Sequence, residues 1–427
     1  MKTRSRHSYS LFCVGVIGVV VLVGALQAQG RPRRDRDITV ANLNILHGFA
    51  CELRRLQEGR PAVPEEQQCR VQERIALLIQ HIIAAGCPDI ITLQENVTNE
   101  IVLLPRDPNN PTRVVEVGPL KNTVELIKAQ LPTLHTACGF RYRVVFDPEG
   151  ATAPDPPLPP GTNPRGIDEE LILTRYPVEE ARVFPLYSPL APSFFRHVLF
   201  ARIRHPVERI DVFTTHLAAD ADLGNLSCGA VASLRPPLPI PLLACPADTC
   251  EDSDTVRVCQ AKQMVHFIET HHDIPGPGII TGDFNAPPRS KVYNEFVGRG
   301  WIDSHRKAKN AKCNPDTGLN CTAGREDTNL SELESPALNQ NVRIDYIFVI
   351  PPQPGEALCQ AQFDTPIDQD GDGTGTGLFA SKPNPFEADC GPLPKKAICW
   401  PSDHSGNQLD LNCQGGTKDQ RLIHIYQ

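Results

Sequence analysis

GIITGDFNAPP, residues 278–288, changes character at its middle. Gly278 to Thr281 is an apolar, β-branched run, and it stops at Asp283 and Asn285, with Phe284 between them. In an extended strand, residues i and i+2 share a face, so both polar side chains would reach one place while Phe284 turns into the core. Taken alone, the fragment also fits a simple turn, because Asp and Asn favour loop starts and Pro287 and Pro288 follow. If it is a site, its partners must lie elsewhere in the chain.

Three other segments have the same form. ITVANLNIL (38–46), DIITLQE (89–95) and RIDVFTTHL (209–217) are rich in β-branched residues and end in polar side chains. Between the first two, Val71 to Gly86 carries apolar residues at Ile75, Leu78, Ile79, Ile82 and Ile83. That stripe predicts an amphipathic helix closed by glycine. A second helix is predicted from about Asp254 to Thr270, again just before a strand. RYRVVF, EELILTRYPV, ARVFPLY, FFRHVLFARI and NVRIDYIFVI add further strands. So many strands with few helices predict two packed β-sheets with helices outside, a layered α/β sandwich.

Length and composition set the frame. The 427 residues, 40% hydrophobic and 22% charged, suffice for one large domain, and 41 prolines imply stiff loops. The proline-rich stretches at 153–164 and 234–246 read as loops, since strand patterns resume after each. A net charge of -8 excludes nucleic-acid binding through the global field and leaves a local basic patch or a metal ion to supply it.

The N-terminus pairs a basic stretch with an apolar run from Leu11 to Leu26, the pattern of a secretory signal peptide spanning residues 1–28. An uncleaved signal anchor is the competing reading. The expected domain runs over 36–427. Beyond Cys13, 14 cysteines remain, an even number that in an exported chain implies up to seven disulfides stapling loops. Zinc binding is the rival, but there is no CxxC pair.

Hydrolysis of a phosphate ester needs a cation on the phosphate oxygens, a positioned water and support for the leaving group. Asn44, Glu95, His216, Asp283, Asn285, Asp345, Asp403 and His404 are residue types that supply those parts. Read in order, NLNILHG, ITLQEN, LTRYPV, TTHLAA, GDFNAPP, RIDYIFV and SDHSGN resemble the endonuclease/exonuclease/phosphatase superfamily, over about Ile38 to Asn407.

The resemblance implies a four-layered α/β sandwich of the deoxyribonuclease I type, two mixed sheets flanked by helices. It implies that Glu95 and Asn44 bind a divalent cation, Mg²⁺ or Mn²⁺ and alternatively Ca²⁺, with Asp403 contributing to that site. Asp283 and Asn285 match the pair that positions the attacking water and holds the phosphate. His404 matches the catalytic histidine, Asp345 the carboxylate that orients it, and His216 a second histidine that stabilises the transition state or protonates the leaving oxygen. Arg196 sits where deoxyribonuclease I-like members place a phosphate-contacting arginine, among different neighbours. The acidic residues Asp168, Glu169 and Glu170 depart from the small, glycine-rich stretch usual in the family.

The expectation is therefore a secreted, metal-dependent phosphoesterase. Nucleic acid is the first substrate, with a phospholipid of sphingomyelin type or a phosphomonoester as alternatives. No protein partner is implied. A catalytically inactive binding module on the same scaffold is the reading from another class. DQDGDGTGTG (368–377) places Asp368, Asp370 and Asp372 like the start of a calcium loop, but Phe379 stands where the loop needs a glutamate, so a structural Ca²⁺ site and a solvated acidic turn both remain open. Four glycosylation sequons occur, at Asn96, Asn225, Asn320 and Asn329, and Asn96 is expected to stay unmodified because it adjoins Glu95.

Overall fold

The computed structural model describes residues 37–61, 63, 65–98, 102–104, 115–146, 169–189, 196–220, 223–233, 243–325, 330–337, 339–352, 358–362 and 397–413. The expected signal peptide, Asp168, the candidate calcium aspartates Asp368, Asp370 and Asp372, and the sequon at Asn329 lie outside these residues. No helix among the described residues is long and apolar enough to cross a membrane.

In chain order the elements are β1 (Asp37–Asn44), α1 (Phe49–Gln57), α2 (Gln67–Ala84), β2 (Ile90–Asn96), β3 (Val102–Leu104), β4 (Val115–Val117), α3 (Thr123–Cys138), β5 (Arg143–Phe146), β6 (Glu169–Thr174), β7 (Val178–Leu186), β8 (Arg196–Arg204) and β9 (Arg209–His216). They continue as α4 (Cys228–Ser233), α5 (Val256–His271), β10 (Gly278–Asp283), α6 (Lys291–Val297), β11 (Ile302–Asp303), α7 (Ser304–Lys307), β12 (Asp345–Ile350), β13 (Cys359–Gln362) and β14 (Asn407–Cys413).

Two six-stranded sheets result, ordered β13-β14-β1-β2-β6-β5 and β11-β12-β10-β9-β8-β7. Both are mixed: β1 and β2 run parallel, as do β9 and β10, and the other pairings are antiparallel. Strand alternation gives each sheet two apolar faces. Ile38, Val40, Ile90 and Ile172 meet Leu199, Val212, Ile279 and Ile347 between the sheets. Ala41, Leu43, Ile91 and Leu93 pack outward on Ile75, Leu78, Ile82 of α2 and Ile127 of α3. Phe200, Phe213, Ile280 and Phe348 pack on Met264, Phe267 and Ile268 of α5 and Phe296 of α6. The order helix, sheet, sheet, helix is the expected four-layered sandwich.

Local chemistry explains the boundaries. The first stretch of α2, Gln68 to Arg70, has left-handed φ of 49° to 58°, so regular helix starts near Val71, where the apolar stripe begins. Thr255 caps α5 by accepting from the Val258 N–H, and Ser290 caps α6 in the same way through the Tyr293 N–H. Six disulfides join Cys51–Cys69, Cys87–Cys138, Cys228–Cys245, Cys250–Cys259, Cys313–Cys321 and Cys359–Cys413, and Cys399 is disulfide-bonded as well. Every cysteine among the described residues is thus a bridge, which leaves no thiolate for zinc there.

Candidate active site

The ladders of the two sheets bring polar strand ends together at one edge. In the second sheet Asp283 pairs with His216 of β9 on one side and with Asp345 of β12 on the other, so the three stand abreast. Residues abreast in a sheet share a face. Gly282, immediately before Asp283, has φ 149°, and a Cβ there would lie 2.1 Å from the Thr215 carbonyl oxygen, so only glycine permits this approach of β10 to β9. In the first sheet Asn44 ends β1 beside Gln94 of β2.

Glu95 reaches the same place by a break in its strand. Thr92 and Gln94 face the second sheet: Gln94 Nε2 donates to Asn42 Oδ1 and to Thr214 Oγ1, both at 2.9 Å. By alternation Glu95 would point away, toward α2. Instead the register shifts between Leu93 and Asn96, and Glu95 takes φ 62°. This bulge re-aims the carboxylate to the strand end, a common use of such irregularities beside active sites.

There Asn44 Nδ2 donates to Glu95 Oε1 at 2.8 Å and to Asp283 Oδ2 at 3.0 Å. One amide therefore stands between two carboxylates that are 7% and 1% exposed. Two buried negative charges this close call for a cation. Ligand atoms of Glu95, His216 and Asp283 lie within 4.8 Å of one another, and so do those of Asp283, Asp345 and His404. Hard oxygen donors from Glu95 and Asp283 suit Mg²⁺, Mn²⁺ or Ca²⁺, so the carboxylate pair fits a divalent cation, whereas Asn44, expected as a ligand, turns its N–H groups to both carboxylates and gives its Oδ1 to the Leu46 N–H at 3.0 Å. Asp403 belongs to neither triplet but approaches His404 Nε2 at 3.9 Å, and burial, together with the charge of Glu95, raises its carboxyl above the ordinary value.

His404 lies 59 residues beyond Asp345 in sequence, and its Nδ1–H donates to Asp345 Oδ2 at 2.9 Å. Its Nε2 then faces Asp283 Oδ2 at 3.7 Å. Burial alone would lower the histidine's pKa; the surrounding negative charges of Asp345, Asp403 and Asp283 overcome it and hold His404 well above the ordinary imidazole value. Burial, against the pull of His404, pushes Asp345 up to about 6. Thr322 Oγ1 secures the start of β12 by accepting from the N–H groups of Ile344 and Asp345 at 3.0 and 3.1 Å.

Asn285 corrects the reading of GDFN as a continuous strand. β10 ends at Asp283, and Asn285 has φ 49°, outside the strand region. Asp283 Oδ1 accepts the Asn285 N–H at 2.8 Å, a local turn that competes with further pairing. The Asn285 amide still returns to the cluster, donating to the Leu217 carbonyl and to His216 Nε2, both at 2.9 Å. Phe284 does turn into the core, edge-on to Phe296 at 4.9 Å.

Arg196 is buried at the start of β8, the strand beside β9 that ends in His216. Glu169 and Glu170 begin β6 and are buried, with Glu170 paired to His197. Asn96 is buried, and its side chain donates to the carbonyls of Leu93 and Glu169, a position that leaves no room for a glycan.

Two residues went unread in the sequence. His47, inside NLNILHG, gives its N–H to Glu95 Oε2 at 2.8 Å, brings Nε2 to 3.5 Å from the same oxygen and stacks on Phe49 at 4.0 Å. Arg74 sits within the apolar stripe of α2 and is fully buried. A charged residue on a helix's core face was the available signal.

Comparison with known proteins places the chain. The profile of the Endonuclease/Exonuclease/phosphatase family matches residues 42–404. Among solved structures, it is similar to a family protein of that description from Bacteroides thetaiotaomicron, at 16% identity and TM-score 0.48, covering 88% of this chain and 94% of that one. It is similar to a mannosyl-6-phosphatase from Bacteroides thetaiotaomicron VPI-5482 at 16% identity and TM-score 0.47, covering 88% and 99%. It is also similar to humanized D. rerio TDP2, at 13% identity and TM-score 0.47, covering 88% and 99%. No curated protein matches the chain.

Proposed function

The chain belongs to the endonuclease/exonuclease/phosphatase family, whose members are metal-dependent hydrolases of phosphate esters, and from that premise we propose that it cleaves phosphodiester bonds in nucleic acid. The observation that carries the reading is the meeting of Asp283 with both histidines, at 3.5 Å from His216 Nε2 and 3.7 Å from His404 Nε2, beside the Asn44–Glu95 pair.

In this reading Glu95, with Asp283 beside it and Asp403 nearby, would hold the cation, Mg²⁺ or Mn²⁺ and alternatively Ca²⁺, and Asn44 fixes the two carboxylates through its amide N–H groups. When bound, such an ion polarises a phosphoryl oxygen as a Lewis acid. Asp283 orients the attacking water and takes its proton; the Asn285 N–H on one oxygen and Asn44 on the other fix its carboxylate plane. Asp345 holds His404 by Nδ1, so the imidazolium turns its Nε2–H toward the negative charge that develops on the phosphoryl oxygens. His216, with Asn285 on its Nε2, flanks the leaving oxygen.

The buried state of both tryptophans, Trp301 and Trp400, supports nucleic acid over a membrane lipid. The large exposed apolar side chains among the described residues, Leu56, Leu243 and Leu319, are separate in sequence and make no aromatic hairpin. The bridged cysteines support export to an oxidising compartment, which the mass of the mature N-terminus, expected near Gln29, checks.

The test is hydrolysis of plasmid DNA, RNA, sphingomyelin and a phosphomonoester in parallel, with Mg²⁺, with Ca²⁺ and with chelator, beside His404→Ala and Asp283→Ala. Metal-dependent DNA or RNA cleavage lost in both variants is the expected result. Turnover of lipid or monoester with nucleic acid intact overturns the substrate, and silence on all four overturns the hydrolase.

A further inference from the structure

Below the carboxylates and histidines lies one buried cation that touches neither, yet reaches the chain on both sides of them. Arg74 projects from α2 and spends all five of its N–H donors on backbone carbonyls. Nε donates to Cys69 O at 2.9 Å, Nη1 to Ile45 O at 2.6 Å and Pro401 O at 3.2 Å, and Nη2 to Leu46 O at 3.0 Å and Gln68 O at 2.9 Å. These carbonyls come from three separate segments. Ile45 and Leu46 join Asn44 to His47; Gln68 and Cys69 form the left-handed entry to α2; Pro401 precedes Asp403 by two residues.

A guanidinium is suited to this because its donors are planar and fixed in direction, so it imposes a geometry on whatever accepts from it. Fully buried charge is costly unless every donor is satisfied, and here every donor is. The nearest opposite charges are those of Asp403 and Glu95, one from each side of the site. Close packing around it agrees: a Cβ on Gly48, whose φ is 78°, would lie 2.5 Å from the Gln68 carbonyl oxygen, so the 45–48 turn and the α2 entry are pressed together.

We propose that Arg74 is the positioning residue of the site, locking the stretch that bears Asp403 and His404 to the strand ends that bear Asn44 and Glu95. It acts through five main-chain carbonyls and does not meet substrate. The kinetic part of this inference rests on the hydrolase reading; the structural part does not.

The experiment compares the full mature chain with Arg74→Lys and Arg74→Met, measuring kcat and KM at saturating Mg²⁺, the thermal midpoint, and hydrogen exchange peptide by peptide. Lysine keeps the charge but cannot span three segments. In Arg74→Lys, kcat is expected to fall about 10²-fold, the scale of a misplaced catalytic group. KM should stay within about threefold. Exchange should quicken at 45–49 and 401–407 while 209–216 and 278–283 keep the wild-type rate.

Unchanged kcat, unchanged exchange at 401–407, or acceleration of equal size in every peptide would overturn the proposal. Should neither variant fold, the wild type decides. Segments 45–49, 67–70 and 401–407 are expected to open together, with one dependence on denaturant, and independent openings reject the lock. A wild type that hydrolyses no phosphate ester defeats the hydrolase reading alone, because the exchange data still judge Arg74.

Discussion

His216, Asp283 and Asp345 are placed by the ladder of a single sheet, whereas Asp403 and His404 are placed by single hydrogen bonds from groups scattered over the chain. The first three stand abreast because β9, β10 and β12 pair in one register. The last two lie on a stretch without strand or helix, between Trp400 and β14. Trp400 Nε1 donates to the Ser335 carbonyl at 2.7 Å, and Arg325 lies over the indole at 3.5 Å. The Ser405 N–H donates to Thr322 O at 2.7 Å, and Gln340 Nε2 to Ser405 Oγ at 2.5 Å. Strand register specifies position cooperatively, through every rung. A loop held by single bonds can lose its position one partner at a time, so distant substitutions should matter more on that side.

The largest effect breaks both sides at once. Asp283→Ala and His404→Ala are each expected to lower kcat by about 10²–10⁴-fold, the scale of general acid–base groups. Steady-state kinetics with a folded-state check measures it, and a loss confined to one variant would show that one half suffices.

Glu95→Gln tests the strand side alone. It removes a charge but keeps the shape, so half-saturation by Mg²⁺ should rise by more than the roughly 10- to 100-fold that loss of a supporting partner costs. Activity titrated against Mg²⁺ gives the number, with near-normal kcat at saturation if the side chain serves mainly the cation.

Asp345→Asn tests the bond between the halves. Asp345 helps hold His404 protonated, so its loss lowers the histidine's pKa, and the alkaline limb of kcat should move to lower pH. The same group links stability to pH. His404 titrates higher folded than unfolded, so in metal-free protein its contribution is complete below its unfolded value near 6.5 and is lost as pH rises through the raised folded value. Asp345, raised from 3.8 to about 6, acts in the same direction between those two values. Thermal midpoints against pH should therefore fall on the alkaline side, and His404→Ala should flatten that part of the curve.

The smallest effect sharpens the contrast most. Gln340→Leu removes the bond to Ser405 and is expected to cost about 1 kcal/mol of stability. Activity should fall with it although Gln340 contacts no catalytic group, because the residue holds the loop side. Urea denaturation and kcat measured on the same sample separate the two losses.

The same division explains what could be read from the sequence. The strands ending in NLN, LQE, TTH and GDF were legible because alternation and β-branched runs mark them, and the ladder then fixes which ends meet. Asp345 followed, since RIDYIFV reads as a strand with its acid at the start. The direction of the Glu95 side chain did not, because it depends on a bulge formed against β6. The pattern of GDFN reads as strand through Asn285, but the backbone leaves the strand there through a turn closed by the Asp283 side chain. His404 was found by its resemblance to a family motif and not by any periodicity. What holds it is Thr322, Arg325, Gln340 and Arg74, residues up to 330 positions away in a chain whose local pattern says nothing of them.

The disulfides add a consequence for assembly. Among the described pairs, Cys51–Cys69 and Cys87–Cys138 close segments around the first sheet, and Cys359–Cys413 ties two of its strands. Cys228–Cys245, Cys250–Cys259 and Cys313–Cys321 close segments around the second. None of these six crosses from one sheet's surroundings to the other's. Asn44 and Glu95 belong to one sheet and His216, Asp283 and Asp345 to the other, so the candidate site lies on a seam that none of these six bridges crosses. Denaturant should be able to open that seam and its removal to close it, with these six bridges left in place throughout.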